Sequence, residues 1–223
     1  MTGSNHLSQV MKMLEEDHSR GYEFDWYDEE VFSLSSSHFR DFATMDSKDS
    51  RIHSRVNTLS NIKRAIECRV DELLYYCCVM PIARKEHWNF PSKLGVLERI
   101  GILAPKVLTR INQKRNQLEH QYIRPSQKDV QDGLDVMLLF LEYTSPFCSN
   151  LRRIRVVKDE RRECDILFDE QHETITLRPR GKRVRVNISS CDSEDVVQFA
   201  KTLVDFVLGT PRVGSTSSRM PGK

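Results

Sequence analysis

The fold is decided first by residues 54–80, which read SRVNTLSNIKRAIECRVDELLYYCCVM. Apolar side chains recur in this stretch at the three- to four-residue spacing of one helix face. The members of this stripe are Leu59, Ile62, Ile66, Val70, Leu73, Cys77 and Met80. Pro81 comes next and disfavours continuation of the helix, because proline lacks a backbone N–H and its ring clashes with the preceding turn. The stretch therefore predicts one long helix that buries a single face.

Shorter apolar repeats on both sides of this stretch predict further helices. Residues 7–16 suit a first helix, and residues 92–100 suit another that ends at Gly101, since glycine accepts the left-handed conformation common at helix C-termini. Pro105 fits the first turn of the next helix, which ends before Pro125. The apolar side chains expected on the buried faces are Leu7, Val10, Met11 and Leu14 in the first of these helices, and Val107, Leu108, Ile111 and Leu118 in the last.

A fourth pattern follows Pro125, where Ser126 and Asp129 have the spacing of a helix capping box. The apolar stripe expected after it consists of Val130, Leu134, Met137, Leu138 and Leu141. The pattern changes after Pro146, where short β-branched segments predict strands. These segments are residues 154–157, 164–168, 174–177 and 184–188. Asp192, with Asp195 three positions later, predicts the cap of a last helix.

The order of these segments predicts an α+β protein. An N-terminal antiparallel helical bundle is followed by a small antiparallel sheet with a C-terminal helix. The expected parts are residues 1–53, a first helix and an acidic, aromatic strap with a short helix near 36–43; residues 54–148, the helical bundle; residues 149–209, a small α+β module; and residues 210–223, a disordered tail rich in Gly, Ser and Pro.

The composition excludes several function classes. The 223 residues are 39% hydrophobic and 30% charged with a net charge of only +2, so the overall charge does not single out a nucleic-acid-binding protein. No apolar run approaches the roughly 20 residues needed to cross a bilayer, and the first residues lack a secretory pattern, so a cytoplasmic protein without membrane contact is expected. The six cysteines show no Cys-x-x-Cys or Cys–His ligand spacing, so neither a metal site nor a cofactor is expected.

The stretch with the most chemical content is residues 115–122, which read RNQLEHQY. An Arg five positions before a His occurs about once by chance in a chain this rich in arginine, so that spacing alone indicates nothing. Requiring Asn directly after the Arg, and Tyr two positions after the His, lowers the chance expectation to roughly one in a thousand. Residues 115–122 also lie late in a predicted helix, just before Pro125.

This motif resembles the signature of the HEPN domain family. The run Arg115-Asn116-x-x-x-His120 is similar to the family's Arg-polar-x-x-x-His pattern, and Tyr122 matches the longer Arg-x4-His-x-Tyr form of toxin-type members. Residues 92–105 are similar to the lead-in of the family's third helix. The resemblance covers roughly residues 54–144 and not the strands. It implies a metal-independent endoribonuclease that acts as a toxin or an anti-phage effector.

The residue types suit that chemistry. Asn116 and His120 share one helix face, since they are four positions apart. Histidine gains and loses a proton near neutral pH, and arginine binds phosphate through a two-pronged set of donors. His120 is therefore the expected general acid and base, Arg115 the group that stabilises the phosphate, and Asn116 an orienting residue. The resemblance further implies an RNA substrate, a homodimer whose two motifs face one cleft, and a partner nucleotidyltransferase acting as antitoxin that attaches AMP to Tyr122.

An alternative interpretation is a non-catalytic binding or adaptor protein built on the same HEPN-like scaffold. Arg115 and Glu119 would then form an ordinary helix salt bridge, His120 would bond the last carbonyls of its helix, and Tyr122 would be packed. The two interpretations differ in whether Arg115 and His120 face an open cleft or are covered by the acidic strap.

A second basic cluster surrounds one predicted hairpin and consists of Arg178, Arg180, Lys182, Arg183 and Arg185. A basic hairpin can follow a phosphate backbone, which would make these side chains RNA ligands. Charged side chains are equally common on sheet edges, where they prevent edge-to-edge aggregation. The sequence leaves both interpretations open.

Overall fold

The structure, a computed structural model, describes residues 3–16, 21–24, 33–102, 108, 113, 124–150, 153–158, 161–169, 173–177 and 184–209. The helices are α1 (Gly3–Glu16), α2 (Ser36–Asp46), α3 (Ile52–Tyr76), α4 (Met80–Lys85), α5 (Phe90–Arg99), α6 (Gln127–Asn150) and α7 (Ser193–Gly209). The strands are β1 (Gly21–Phe24), β2 (Arg153–Lys158), β3 (Arg161–Asp169), β4 (Thr174–Leu177) and β5 (Val184–Asn187). The chain therefore belongs to the α+β class, as the sequence predicts. None of the helices in these ranges has the length and apolar content needed to span a bilayer.

The chain divides into two compact units. The sheet unit consists of Met1–Tyr27, Tyr76–Lys85 and Ser149–Lys223, and the helical unit of Asp28–Tyr75 and Glu86–Cys148. These units differ from the boundaries expected from the sequence, which placed residues 1–53 in a separate part and residues 76–85 in the bundle. The reason is long-range pairing: α1 packs against α7, and β1 pairs with β2.

The sheet has the strand order β1-β2-β3-β4-β5, and every neighbouring pair is antiparallel. The four strands predicted from the sequence are confirmed as β2 to β5. Strand β1 was not predicted, and it lies inside the segment interpreted as a strap. Its register pairs Tyr22 with Val156 and Phe24 with Ile154. A four-residue strand gives too short an alternation to be recognised without its distant partner.

The core of the sheet unit lies on one face of the sheet and on the two helices that pack together. The buried apolar strand residues are Ile154, Val156, Ile166, Phe168, Ile175 and Val186, and the polar Asp165 and Thr176 are buried on the other face. Leu7, Val10 and Leu14 of α1 are buried, which confirms three of the four residues predicted for that face, and Met11 is half-buried. The predicted cap of α7 is also confirmed, because Asp192 Oδ1 accepts a hydrogen bond from Glu194 N at 2.9 Å.

Helix α3 confirms the long apolar stripe but ends earlier than the sequence predicts. The expected helix over residues 54–80 was wrong at its last turn, because α3 stops at Tyr76 and Cys78 has a left-handed φ of 63°. An L-residue with positive φ terminates an α-helix. Pro81 then lies in the first turn of the separate helix α4, a position at which its missing N–H has no helical partner to lose.

Helix α5 confirms Gly101 as a helix stop. Ile102 N donates to Leu97 O at 2.9 Å, and Gly101 N donates to Glu98 O at 3.2 Å. These two bonds form a Schellman motif, which needs the positive φ of 90° that Gly101 has. At the other end, Asn89 Oδ1 accepts from Ser92 N at 3.0 Å, so α5 starts two residues earlier than predicted.

Helix α6 confirms the capping box, since Ser126 N donates to Asp129 Oδ2 and Asp129 N donates to Ser126 Oγ, each at 3.1 Å. One expectation for this helix was wrong, because Leu138, expected in the buried stripe, is exposed, and Phe140 is buried instead. The helical bundle was expected to end at residue 148, and α6, which contains Pro146, continues to Asn150. The buried face of α6 carries the helix past the proline, so one missing N–H does not end it.

Candidate functional site

The residues of the sequence motif, Arg115, Asn116, His120 and Tyr122, lie outside the residues that the structure describes. Two positions between 103 and 123 are described, and both are helical: Leu108 is fully buried and Gln113 is exposed. The helix predicted to start at Pro105 is therefore confirmed at these two positions. One buried and one exposed residue agree with a helix that has one apolar face.

Both ends of the segment that carries the motif are fixed in the helical unit. On its N-terminal side, the Schellman motif at Gly101 leads into the fully buried Ile102. On its C-terminal side, the next described residues are the exposed Arg124 and the buried Pro125, which directly precede the capping box of α6. His120 is only four positions before Arg124, so it lies near the start of α6 along the chain.

The basic hairpin is described at one of its five candidate residues. Arg178, Arg180, Lys182 and Arg183 lie outside the described residues. Arg185 lies on β5, is exposed, and pairs through its Cα with Thr176 of β4. Its neighbour Val186 is buried, as expected when successive side chains of a strand point to opposite faces. Arg185 is therefore exposed on the face of the sheet opposite Val186, although its partner Thr176 on that face is buried.

The described part of the helical unit contains a buried polar group of residues that sequence reasoning missed. This Glu72 cluster consists of Ser36, Cys68, Arg69, Glu72 and Cys148. The Glu72 carboxylate accepts two hydrogen bonds from Ser36, at 2.7 Å from its backbone N and at 2.8 Å from its Oγ. Ser36 is the first residue of α2, so a negative charge is placed at the positive end of that helix.

Arg69 compensates the charge of Glu72 inside the unit. Arg69 Nε lies 3.3 Å from Glu72 Oε2, and Arg69 Nη1 donates to Cys148 Sγ at 2.7 Å. Both charged side chains are close to fully buried. A buried ion pair is tolerated best when additional hydrogen bonds satisfy the remaining polar atoms. Ser36 and Cys148 provide such bonds to Glu72 and to Arg69 Nη1, whereas the buried Arg69 Nε has only its ion-pair contact with Glu72. The cluster thus joins α2, α3 and α6.

The two thiols of the cluster are held in the protonated form. Burial raises the pKa of Cys148 to about 11, and the Arg69 charge opposes that shift only in part. Burial, together with the Glu72 carboxylate, raises the pKa of Cys68 to about 12. Since the thiolate is the reactive form of cysteine, neither side chain is a nucleophile near neutral pH. The Glu72 cluster is therefore a structural clasp rather than a catalytic centre.

The sequence contains half of the signal for this cluster. Arg69 and Glu72 are three positions apart, so they lie on one side of the helix. Each is adjacent in sequence to a residue of the buried stripe, Val70 or Leu73, so a charged pair at the edge of the core is expected. Ser36 and Cys148 are distant in sequence, and no local pattern indicates that they meet Glu72.

A second polar group lies in the sheet unit around Glu173, which has a left-handed φ of 48°. Its carbonyl accepts from Ile188 N at 2.9 Å, and its carboxylate accepts from Ser189 Oγ. Lys85 Nζ donates to the Ser189 carbonyl at 2.9 Å. These bonds fix the start of β4 against the turn after β5 and against the end of α4. The Ser189 hydroxyl is already bonded to the Glu173 carboxylate, so we interpret this group as structural as well.

Within the described ranges, no group of three or more His, Cys, Asp or Glu side chains is placed to hold a metal ion. The sequence matches no protein-family model, and no curated protein or solved structure matches it. The HEPN resemblance of residues 54–144 therefore stays a prediction that rests on the motif.

Proposed function

We propose that this chain is a metal-independent endoribonuclease of HEPN type that acts on RNA as a toxin or an anti-phage effector. The observation that carries the proposal is the motif Arg115-Asn116-x-x-x-His120-x-Tyr122. Its setting supports the proposal: the motif lies between α5, which ends in a Schellman motif, and α6, which begins with a capping box, and the described residues Leu108 and Gln113 before it are helical. In the proposed enzyme, two copies of the motif face one cleft of a homodimer.

The proposed reaction uses the nucleophile that RNA itself carries. His120 removes the proton of the 2′-hydroxyl, and the 2′-oxygen attacks the adjacent phosphorus. Arg115 binds the phosphate oxygens and stabilises the negative charge that develops on them. The bond from phosphorus to the 5′-oxygen breaks, and the His120 of the second copy supplies the proton to that oxygen. The products are a 2′,3′-cyclic phosphate and a 5′-hydroxyl.

The proposal is tested by cleavage of a fluorophore-quencher RNA oligomer in the presence of EDTA. His120→Ala and Arg115→Ala are each expected to lower the rate by at least about 100-fold, the usual contribution of a positioned acid or base. The matched control is Gln113→Ala, because Gln113 is an exposed helical residue just before the motif. Equal rates for the wild type and His120→Ala, or no cleavage by either, contradict the proposal.

Two further parts of the proposal concern partners. Tyr122 is proposed as the residue to which a partner nucleotidyltransferase attaches AMP, which would place a charged nucleotide in the cleft and block it. The basic residues Arg178 to Arg185 are proposed to bind the RNA backbone. For the described member, Arg185, support comes from its exposure on the sheet.

The second candidate function is the non-catalytic adaptor on the same scaffold. One specific observation favours it: three large apolar side chains of α6, Leu138, Leu139 and Tyr143, are exposed. Exposed apolar groups on one helix face are typical of protein-binding surfaces. The RNA-cleavage experiment separates the two functions, because an adaptor has no activity that His120→Ala could remove.

A further inference from the structure

Helix α6 exposes apolar side chains on the face that it turns away from the core. Leu138 is 44% exposed, Leu139 is 72% exposed and Tyr143 is 46% exposed. The opposite face of the same helix is buried through Met137, Phe140 and Leu141, so α6 has apolar side chains on both sides. A helix at the surface normally carries polar residues on its solvent face.

The exposed apolar surface is continuous and ordered. Leu139 and Tyr143 are one helical turn apart, and Leu138 adjoins them. The Tyr143 ring packs on the buried Phe147 ring, with 6.1 Å between the ring centroids, so it is held in place from the core side. The three side chains together expose on the order of 300 Å², the size of the largest apolar patch on a typical monomer.

The charged residues of α6 from Asp129 onward all have one sign, and Lys128 lies in the first turn of the helix. Asp132, Asp135 and Glu142 are exposed on the same side of α6. Gln131 Nε2 donates to Asp135 Oδ1 at 3.0 Å, a neutral bond that leaves the carboxylate charge in place. No Lys or Arg occurs between Lys128 and Arg152, a stretch that includes nearly all of α6. We call these six residues, Asp132, Asp135, Leu138, Leu139, Glu142 and Tyr143, the α6 face.

We propose that the α6 face binds a basic amphipathic helix of a partner protein. The partner's apolar side chains pack on Leu139 and Tyr143, and its flanking Lys and Arg side chains pair with the carboxylates of Asp135 and Glu142. Apolar anchors inside a charged rim are the usual composition of such helix-binding sites. Complementary charge at the rim fixes the register and speeds the encounter. The inference does not rest on the proposed ribonuclease activity.

The charges argue against two other occupants. A second copy of this chain that used the same face would bring acidic groups only against acidic groups, and like charges across an interface are unfavourable. An RNA strand would be repelled by the same three carboxylates. A basic helix is the occupant that satisfies both the apolar centre and the acidic rim.

The proposal is tested with a fluorescein-labelled peptide in which leucines occupy one helix face and lysines the other. The comparison probe is the same peptide with each lysine replaced by glutamate. Fluorescence anisotropy of the full chain is expected to show binding of the basic peptide, weaker at high salt, and at least about tenfold weaker binding of the acidic one. Equal affinity for both peptides overturns the proposal.

Two variants locate the binding on the α6 face. Leu139→Ser is expected to weaken binding of the basic peptide at least about tenfold, as removal of a central apolar anchor does. The matched control is Leu208→Ser on α7, because Leu208 is also an exposed leucine, at 61%. An equal effect of the two substitutions overturns the proposal. Each replaces an exposed side chain, and equal thermal unfolding midpoints verify that the fold is intact.

A charge swap is the sharpest arm of the experiment. Asp135→Lys combined with Glu142→Lys is expected to reverse the preference, so that the acidic peptide binds more tightly than the basic one. The control is Asp41→Lys combined with Asp205→Lys, whose side chains are 61% and 55% exposed. Sedimentation velocity tests whether the α6 face binds a second copy of this chain instead. If the wild type is a dimer and Leu139→Ser dissociates it, the face is a dimer interface and the proposal is overturned. Competition of the peptide by single-stranded RNA would overturn it as well.

Discussion

Replacing Glu72 by alanine is expected to lower the free energy of unfolding of the helical unit more than any substitution at its surface does. The side chain accepts both hydrogen bonds of Ser36 and neutralises Arg69, and the Arg69 and Glu72 side chains are only 12% and 8% exposed. Glu72→Ala leaves the guanidinium buried without its carboxylate and removes the acceptor at the start of α2. Breaking a buried pair from one side costs about 3–5 kcal/mol, because the remaining charge is uncompensated.

The matched control is Glu67→Ala on the same helix. Glu67 pairs with Lys63 at 3.2 Å, but its side chain is 35% exposed, so solvent already screens that pair. A surface pair four positions apart on a helix contributes about 0.3–0.5 kcal/mol. The two variants should therefore differ by roughly tenfold in their effect on the free energy of unfolding, although each removes one carboxylate from α3.

The assay is urea unfolding followed by far-UV circular dichroism, with the slope of the transition checked for constancy between variants. A second variant isolates the uncompensated charge: Arg69→Met combined with Glu72→Met should be less destabilising than Glu72→Ala, because no buried charge remains. The reasoning is refuted if Glu72→Ala costs no more than Glu67→Ala. It is also refuted if the double replacement is more destabilising than Glu72→Ala.

Four smaller predictions concern three glycines of α5, α6 and the turn after α5, and the Cys148 thiol. Gly95→Ala should stabilise the chain by about 0.5–1 kcal/mol in urea unfolding, since nothing lies within 4 Å of the added Cβ. Gly133→Ala should gain less, because its Cβ would lie 3.2 Å from Ile62 Cδ1; a larger gain there would contradict the packing of α6 on α3. Gly101→Ala should destabilise by about 1 kcal/mol or more, because an alanine at a φ of 90° is strained, and an unchanged urea midpoint would contradict this. Burial raises the pKa of the Cys148 thiol from 9.0 to about 11, so the contribution of this thiol to stability is complete below pH 9 and is lost as the pH rises towards 11. A Cys148→Ala variant should therefore show a smaller decrease of the thermal unfolding midpoint at alkaline pH than the wild type. An identical decrease in both proteins would contradict the raised pKa.

The local part of the fold is predictable from the sequence because its signals are local. The stripe from Leu59 to Leu73 marks α3, Gly101 marks the end of α5, and the Ser126–Asp129 pair marks the start of α6. Each depends on residues within one or two helical turns of each other. The four strands of the β2–β5 meander also pair with their neighbours in sequence, which explains why their positions agree.

The remaining features depend on distant partners. Strand β1 exists because Tyr22 and Phe24 pair with β2, which follows α6 in the chain. Leu138 fits the apolar spacing of α6 as well as Phe140 does, and only the position of the other helices decides which of them is buried. The Glu72 cluster joins Ser36 to Cys148 across most of the helical unit's sequence. The apolar periodicity of one segment does not show which distant segment it will contact, so these features cannot be predicted from it.

The two candidate functional regions, the motif and the α6 face, also differ in whether the sequence alone reveals them. The motif at residues 115–122 is visible in the sequence because its chemistry is concentrated in eight consecutive residues. The acidic and apolar face of α6 is not recognisable as a surface until the buried side of that helix is known, because its leucines fit a core pattern equally well.

The most direct test of the central claim, that residues 115–122 form a ribonuclease site, is cleavage of two matched oligomers in EDTA. One oligomer is RNA, and the other has the same sequence with every 2′-hydroxyl methylated. The wild type is expected to cut only the RNA, leaving a 2′,3′-cyclic phosphate, and His120→Ala is expected to cut neither. Cleavage of the methylated oligomer, undiminished cleavage by His120→Ala, or failure of the wild type to cut RNA would contradict the claim.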